Sequence, residues 1–206
     1  MIRQQYQKVM AAFYDPFMRS LEKVLIHHRR YLLQQTSGVV LEVGAGTGVN
    51  FSLYPKDVRV YAIEPSVPMY KRALKAAQPY PNIKVFNTGI ENLKTLTGLP
   101  EQFDFITSML VLCTIDDPEY AARMYHRLLN DAGRLLVLEH IHSGNTLYGK
   151  FQKLVNPVWR PFADGCNLTR RQDLILKQQG FIPLEEKYFT LGTDWYRAVM
   201  QKQIKK

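Results

Sequence analysis

Ten consecutive residues, Val39-Val40-Leu41-Glu42-Val43-Gly44-Ala45-Gly46-Thr47-Gly48, constrain this chain more than any other part of it. The Val/Leu run lacks the polar alternation of a half-exposed strand, so it predicts a strand buried on both faces, as in a parallel sheet. It ends in three glycines with one residue between each pair. Gly44 and Gly46 have no Cβ, which lets the backbone turn sharply and come close to a ligand. Val49 stands where the dinucleotide fingerprint G-x-G-x-x-G places its third glycine. Glu42 lies inside the strand, two residues before the loop, where a buried carboxylate is costly unless it accepts hydrogen bonds. The plain alternative is a strand and turn that bind nothing.

The rest of the chain repeats the strand–helix rhythm. Strands are predicted at 39–43, 59–64, 83–86, 103–109 and 133–139, with helices at 67–77 and 118–129 between them. Asp117-Pro118 supplies an N-cap acid and a proline at the first helical position. A helix over 169–179 ends at Gly180, a natural C′ glycine. The stretches 181–190 and 195–201 have no helix-length segment between them and predict an antiparallel hairpin. The fold class is therefore α/β: a Rossmann-like, doubly wound, seven-stranded sheet of five parallel strands plus that hairpin. Ahead of it, apolar residues from Ile2 to Val24 recur at helical spacing. Asp15-Pro16 divides them into helices at about 2–13 and 17–34.

One stretch breaks the rhythm. Residues 141–168 carry Gly144, Gly149, Pro157, Pro161 and Gly165, and interleave Leu147, Phe151, Leu154, Val158, Trp159 and Phe162 with Lys150, Lys153 and Arg160. An insertion after the fifth strand lies near the carboxyl ends of the strands, where open α/β sheets bind ligands. It is read as a substrate cap, and residues 1–37 as a helical lid with Tyr6, Phe13 and Tyr14 facing inward. Both belong to one domain spanning 1–206, a length that suits a single core.

Composition narrows the class. Cys113 and Cys166 are too few for a disulfide framework and have no metal-ligand spacing, which implies a reduced, cytoplasmic setting and no metal site. No apolar run of about 18 residues is present to span a bilayer. Arg3, Lys8 and Arg19 interrupt the N-terminal apolar residues, unlike a signal peptide. The balance of 27 Lys+Arg against 18 Asp+Glu, net +9, with a local group at His27-His28-Arg29-Arg30, fits nucleic acid, an anionic membrane, an acidic substrate or a merely solvated basic face. No zinc finger or aromatic-rich RNA motif accompanies it, so nucleic acid is set aside.

Chemistry-bearing residues follow the strands. Glu64 ends the second strand, where a carboxylate can accept two hydrogen bonds from a ribose diol. The loop with Glu42 and Glu64 resembles that of the class I methyltransferases, which bind S-adenosylmethionine (SAM). The resemblance implies Glu42, Gly44, Ala45, Gly46, Thr47 and Asn50 around the loop, with Glu64 and Pro65 at the ribose. It also implies Gly89, Ile90 and Glu91 at the adenine, and Thr107, Ser108, Met109 and Leu110 at the methionine end. Many such enzymes have Asp where Gly89 stands, so Glu91 or backbone groups must substitute here. No Asp/Asn-Pro-Pro-Tyr/Phe follows the fourth strand and no Pro-Cys pair is present, which argues against methylation of nucleic-acid bases.

Five segments carry a narrower resemblance: Leu41–Phe51, Tyr54-Pro55, Leu110-Val111-Leu112-Cys113, Glu139-His140 and Asp164-Gly165-Cys166-Asn167-Leu168-Thr169-Arg170. They look like the methyltransferase-like thiol S-methyltransferases, within the broader ubiquinone/menaquinone methyltransferase group. That resemblance implies a small, apolar acceptor, with a thiol as the candidate, whose thiolate attacks the SAM methyl group. Asp164, His140 and Tyr14 are the candidate catalytic groups, each with a duller role as turn acid, strand-end polar residue or packing aromatic. Direct transfer needs no covalent intermediate, so Cys166 is not expected to act as one. Animal members sit on membranes through a hydrophobic N-terminal segment, where this chain has an amphipathic helix. Only weak peripheral contact with anionic lipid is expected. Two other readings remain: an NAD-dependent oxidoreductase, disfavoured by Val49 and by the lack of a Tyr-x-x-x-Lys pair, and a non-catalytic membrane-surface adaptor.

Overall fold

The computed structural model describes residues 23–95, 97–163 and 165–203. Its strands are β1 (Val39–Val43), β2 (Arg59–Ile63), β3 (Ile83–Phe86), β4 (Phe103–Met109), β5 (Leu129–Ile141), β6 (Phe181–Leu191) and β7 (Thr193–Lys202). Helix α1 is described over 23–33. It is followed by α2 (Val67–Ala77), α3 (Pro118–Leu128), α4 (Thr146–Phe162) and α5 (Gln172–Gln178). All seven strands form one sheet in the order β3-β2-β1-β4-β5-β7-β6. β1 to β5 run parallel, and β7 lies antiparallel between β5 and β6.

That order reverses between β1 and β4, and such a switch point opens a crevice at the carboxyl ends of the strands. Register then decides what meets there. Glu42 is flanked by Ala62 on β2 and by Thr107 on β4, and Val43 by Ile63 and Ser108. One face of the sheet buries Leu25, Leu32 and Leu33 of α1 with Ala73 of α2. The other buries Ala121, Ala122 and Tyr125 of α3 with Leu176 of α5. Each fully buried leucine contributes about 1.5–3 kcal/mol of transfer free energy, which fixes α1 against the sheet.

The α/β, seven-stranded reading holds, and β1, β3, β4 and α2 end where the pattern predicts. Two elements start three or more residues away from the predicted position. β5 begins at Leu129 rather than 133, because Leu129 still pairs with Phe103 before the register shifts toward Arg134. α5 begins at Gln172 rather than 169, because Thr169 is held by Asn167 and Arg170 by carbonyls of the 112–116 segment. The 141–168 stretch is mainly the helix α4, with Pro157 and Pro161 inside it. Asn145 caps it, accepting from the amides of Leu147 and Tyr148.

Candidate functional site

The three loop glycines adopt left-handed backbone, with φ of +66° at Gly44, +58° at Gly46 and +85° at Gly48. They do different work. A Cβ on Gly44 would stand 2.6 Å from Val111 Cγ2, and one on Gly48 2.7 Å from Phe51 Cε2. Both are glycine so that the loop can pack on its own scaffold. At Gly44 the close approach is therefore to Val111, where the sequence predicted a ligand. Among the described residues, a Cβ on Gly46 would meet nothing within 4 Å. Its amide donates to Glu64 Oε2 at 2.8 Å, and Ser66 N donates to Oε1 at 2.8 Å. The loop is pinned from behind by Ala45 N to Ile63 O at 3.0 Å. Thr47 is partly exposed, and Pro65 is exposed with its carbonyl taking Asn87 Nδ2 at 3.1 Å.

Beneath the loop lies a buried polar network. Glu42 Oε1 accepts from Asn50 Nδ2 at 2.8 Å, and Asn50 Oδ1 accepts from Arg29 Nη1 at 3.0 Å. The Tyr54 hydroxyl pairs with Thr107 Oγ1 at 2.9 Å. Glu42 Oε2 has no hydrogen-bond partner among the described residues. Burial pushes the Glu42 carboxyl up to about 7, against the pull of the Asn50 amide, the nearby Tyr54 hydroxyl and the Arg29 charge. Arg29 is a residue that sequence reasoning missed, having been grouped with the exposed basic run His27–Arg30. Its spacing from Leu25, Leu32 and Leu33 puts it on the buried helix stripe, and that was the available signal.

Beyond β3, Gly89 and Ile90 are buried and Glu91 is exposed. A Cβ on Gly89 would collide with Glu91 Oε1, so the Glu91 carboxylate fills the space a side chain at 89 would need. Beyond β4, the strand's alternation splits the predicted set. Thr107 and Met109 face the loop side, with Met109 Sδ 3.8 Å from Arg29 Nη1. Ser108 points away: it is fully buried, 3.2 Å from the Tyr125 hydroxyl of α3. Its expected place at the methionine end is thereby corrected. Leu110 has φ of +63°, the one non-glycine residue with positive φ among those described. Such strain concentrates at functional sites.

A second group lies further along the same edge. Glu139 Oε1 accepts from the amides of Val111 and Leu112 at 2.8 and 2.9 Å, and its Oε2 has no partner among the described residues. His140 is buried, with Nε2 3.1 Å from Cys166 Sγ and Nδ1 without a partner among the described residues. Burial opposes charge on His140, but the Cys166 sulfur outweighs it and holds the imidazole above its usual value. This candidate catalytic group is thus a member of a Cys–His cluster that includes Cys113. Tyr14 and Asp164 lie outside the described residues, as does the 2–13 helix.

Helix α4 is turned inside out. Gln152 is buried, accepting from Ser143 N at 2.8 Å and donating to Thr193 Oγ1 at 3.0 Å, and Asn156 Oδ1 accepts from Leu168 N at 2.8 Å. On its outer face, Leu147, Phe151, Leu154 and Val158 are 78%, 54%, 77% and 64% exposed.

The sheet order, the glycine loop at the switch point and the two acids that flank it define a class I, SAM-dependent methyltransferase domain. Residues 15–185 match the family described as a methyltransferase domain, and the chain belongs to that family. Human thiol S-methyltransferase TMT1A is 28% identical over 158 residues, covering 76% of this chain and 65% of that protein. Rat thiol S-methyltransferase TMT1B is 30% identical over 144 residues, covering 67% of this chain and 58% of that protein. The chain thus spans just under two thirds of the length of these relatives. Among solved structures, an O-methyltransferase family protein from Burkholderia thailandensis aligns with a TM-score of 0.73 at 12% identity, covering 95% of this chain and 60% of that one. The N-methyltransferase NodS from Bradyrhizobium japonicum aligns at 0.62 and 16%, covering 91% and 97%. At these identities the solved structures speak for the fold alone.

Proposed function

We propose that this chain transfers the methyl group of SAM to the thiol of a small apolar acceptor. The observation that carries the reading is the open space over Gly46 between two buried acids, Glu42 and Glu64. The residues fit the cofactor. Glu64 offers a carboxylate for the ribose diol, and the unpartnered Glu42 Oε2 suits the amino group of the methionine end. Glu91, lying where a side chain at 89 would be, takes the adenine amino group in place of the missing acid. Ala45, Thr47, Asn50, Pro65, Ile90 and Met109 complete the walls. SAM itself supplies a methyl group activated on a sulfonium. The chain then has to align acceptor and donor and keep water out. Residues 1–37 act as the lid and 141–168 as the cap, with Tyr14, Asp164 and His140 as the groups near the acceptor. The thiol comes from the named activity of the TMT1A and TMT1B relatives.

The test is calorimetric and then chemical. Wild type should bind S-adenosylhomocysteine and methylate members of a panel of small thiols in preference to phenols and quinol precursors. Failure to bind it, or a nicotinamide cofactor co-purifying instead, would remove the reading. Binding without turnover of any acceptor would favour an adaptor. Deleting residues 1–14 should weaken cofactor binding, and an unchanged truncated protein would remove the lid.

The outward apolar stripe of α4 supports one further step, peripheral contact with anionic membrane. Among the described residues no helix is long and apolar enough to cross a bilayer. An exposed apolar stripe on a helix also bearing exposed Lys150, Lys153 and Arg160 matches a surface that lies at a lipid headgroup layer. Each basic residue there adds about 1 kcal/mol. Flotation with anionic liposomes at low salt, lost at high salt, is expected; no flotation at low salt would end this reading.

A further inference from the structure

We propose that Cys113, His140 and Cys166 form a binding site for a thiophilic divalent cation, Zn²⁺ above all, with one coordination position left for an external soft ligand. Their candidate ligand atoms, two sulfurs and one ring nitrogen, all lie within 4.8 Å of one another. Donors around a tetrahedral zinc, with Zn–S near 2.3 Å and Zn–N near 2.0 Å, stand about 3.5–4 Å apart. The group therefore needs only small side-chain shifts to close on an ion.

Three separate parts of the fold bring these residues together, and the backbone is cross-tied where they meet. Asn167 N donates to Cys113 O at 2.9 Å, linking the Cys166 and Cys113 segments directly. Arg170 Nη1 donates to the carbonyls of Leu112 and Cys113 at 2.7 and 3.2 Å. Glu139, next to His140, holds the amides of Val111 and Leu112. A group fixed in this way loses little freedom on taking an ion. As an ordinary hydrogen-bonded core residue His140 is poorly served. It is 6% exposed, its Nδ1 has no partner among the described residues, and Nε2 meets a thiol, a weak donor and acceptor. Zinc bound to both thiolates and one ring nitrogen would replace that weak thiol contact with a coordinate bond.

Among the described residues the group has three members. Three protein ligands with the fourth position open is the pattern of catalytic rather than structural zinc. The place suits chemistry too. Val111, whose methyls occupy the space over Gly44, is two residues from Cys113, at most about 7 Å of chain. Resting on the methyltransferase reading above, the open position takes the acceptor thiol. The thiol proton is released to solvent, and the bound thiolate sulfur forms a bond to the methyl carbon. The sulfonium C–S bond breaks, S-adenosylhomocysteine leaves, and the neutral thioether dissociates as the weaker ligand. The ion keeps its charge throughout.

The experiment uses the full chain purified under reducing conditions, stripped with a chelator and titrated with Zn²⁺ against a chromophoric competitor. One ion per chain is expected, with affinity falling more than about tenfold in Cys113→Ser, Cys166→Ser and His140→Gln. In the Co²⁺-loaded protein, thiolate charge-transfer absorption should weaken with each cysteine replaced and shift on adding a small apolar thiol. Zn²⁺ should also raise the melting temperature of wild type and not of the variants. If the buried Cys113 variant fails to fold, the partly exposed Cys166 and the His140 variants carry the comparison. No stoichiometric ion in reduced wild type, affinity unchanged in the variants, or a Cys113–Cys166 disulfide in place of the ion would overturn the site. S-adenosylhomocysteine calorimetry on wild type separates the two readings. Zinc binding without it sinks the methyltransferase proposal alone, and cofactor binding without zinc sinks this one alone.

Discussion

Two buried glutamates, Glu42 on β1 and Glu139 on β5, stand at the carboxyl edge of the same sheet in nearly the same condition. Each has one oxygen hydrogen-bonded and one without a partner among the described residues, and burial pushes each up to about 7. What surrounds them differs. Glu42 is held by Asn50, eight residues away, under a loop that follows its own strand. Glu139 is held by amides 27 and 28 residues back in the chain, beside a cluster whose members are Cys113, His140 and Cys166. The first acid belongs to a local motif that any chain with this strand and loop would carry. The second belongs to a site that exists only once β4, β5 and the segment after α4 have packed.

The largest expected effect breaks the first region. Gly46→Val puts a β-branched side chain at φ +58°, costing roughly 1–2 kcal/mol, and fills the space proposed for the cofactor. Calorimetry should find S-adenosylhomocysteine binding gone, with only a modest drop in melting temperature. Gly44→Ala should behave differently, because its Cβ would strike Val111 and loosen the scaffold as well as the loop. Equal binding by wild type and Gly46→Val would show that the open space is not the cofactor site.

The same contrast explains what the sequence made legible. The apolar run 39–43, its glycines and the Asp117-Pro118 helix start are local signals, so the parallel strands, the loop and the cofactor class could be read from the sequence. Ser108 was misplaced because strand alternation was not carried across Thr107-Ser108-Met109. Arg29 was lost in a basic run although its helical spacing marked it as buried. The Cys–His cluster had no sequence signature at all: Cys113 and Cys166 are 53 residues apart, and metal motifs are read from short spacings. The inward face of α4 was equally hidden, since a pattern of apolar residues says which side is greasy but not which side the fold covers.

The next effect sharpens the pair through pH. Free carboxyls of this type ionise near 4.5, whereas folded Glu42 keeps its proton up to about 7. Between those values the unfolded chain has lost the proton and the folded chain has not, so stability falls as pH rises through that window and is level above it. The fall attributable to Glu42 amounts to about 3 kcal/mol. Glu42→Gln should therefore melt higher than wild type at pH 8 and lose that part of the pH dependence, while binding S-adenosylhomocysteine more weakly. A variant that gained stability without losing affinity would remove Glu42 from the cofactor's amino group.

A smaller effect is expected from the polar side of α4. Gln152→Ala leaves the buried Ser143 amide without its acceptor, a cost of about 1–3 kcal/mol in chemical denaturation. Were α4 docked by its apolar residues instead, this substitution would be nearly silent.

The smallest change in stability belongs to the opposite face of the same helix. Leu154 is 77% exposed, so Leu154→Ser removes little buried surface and should shift unfolding by no more than about 0.5 kcal/mol. Phe151 and Val158, one turn to either side, stand in the same exposed row, so the doubly changed Phe151→Ser/Leu154→Ser protein should fold as wild type does. Flotation is where the two faces part. If the row lies on lipid, the double variant should fall away from anionic liposomes at low salt, and Gln152→Ala should float as before. If instead the row packs on residues outside those described, the double variant would lose stability by the 2–5 kcal/mol typical of core truncations, roughly additive across its two sites, and flotation would be unmoved. Denaturation and flotation measured on the same three proteins therefore assign the apolar face of α4 to membrane or to core.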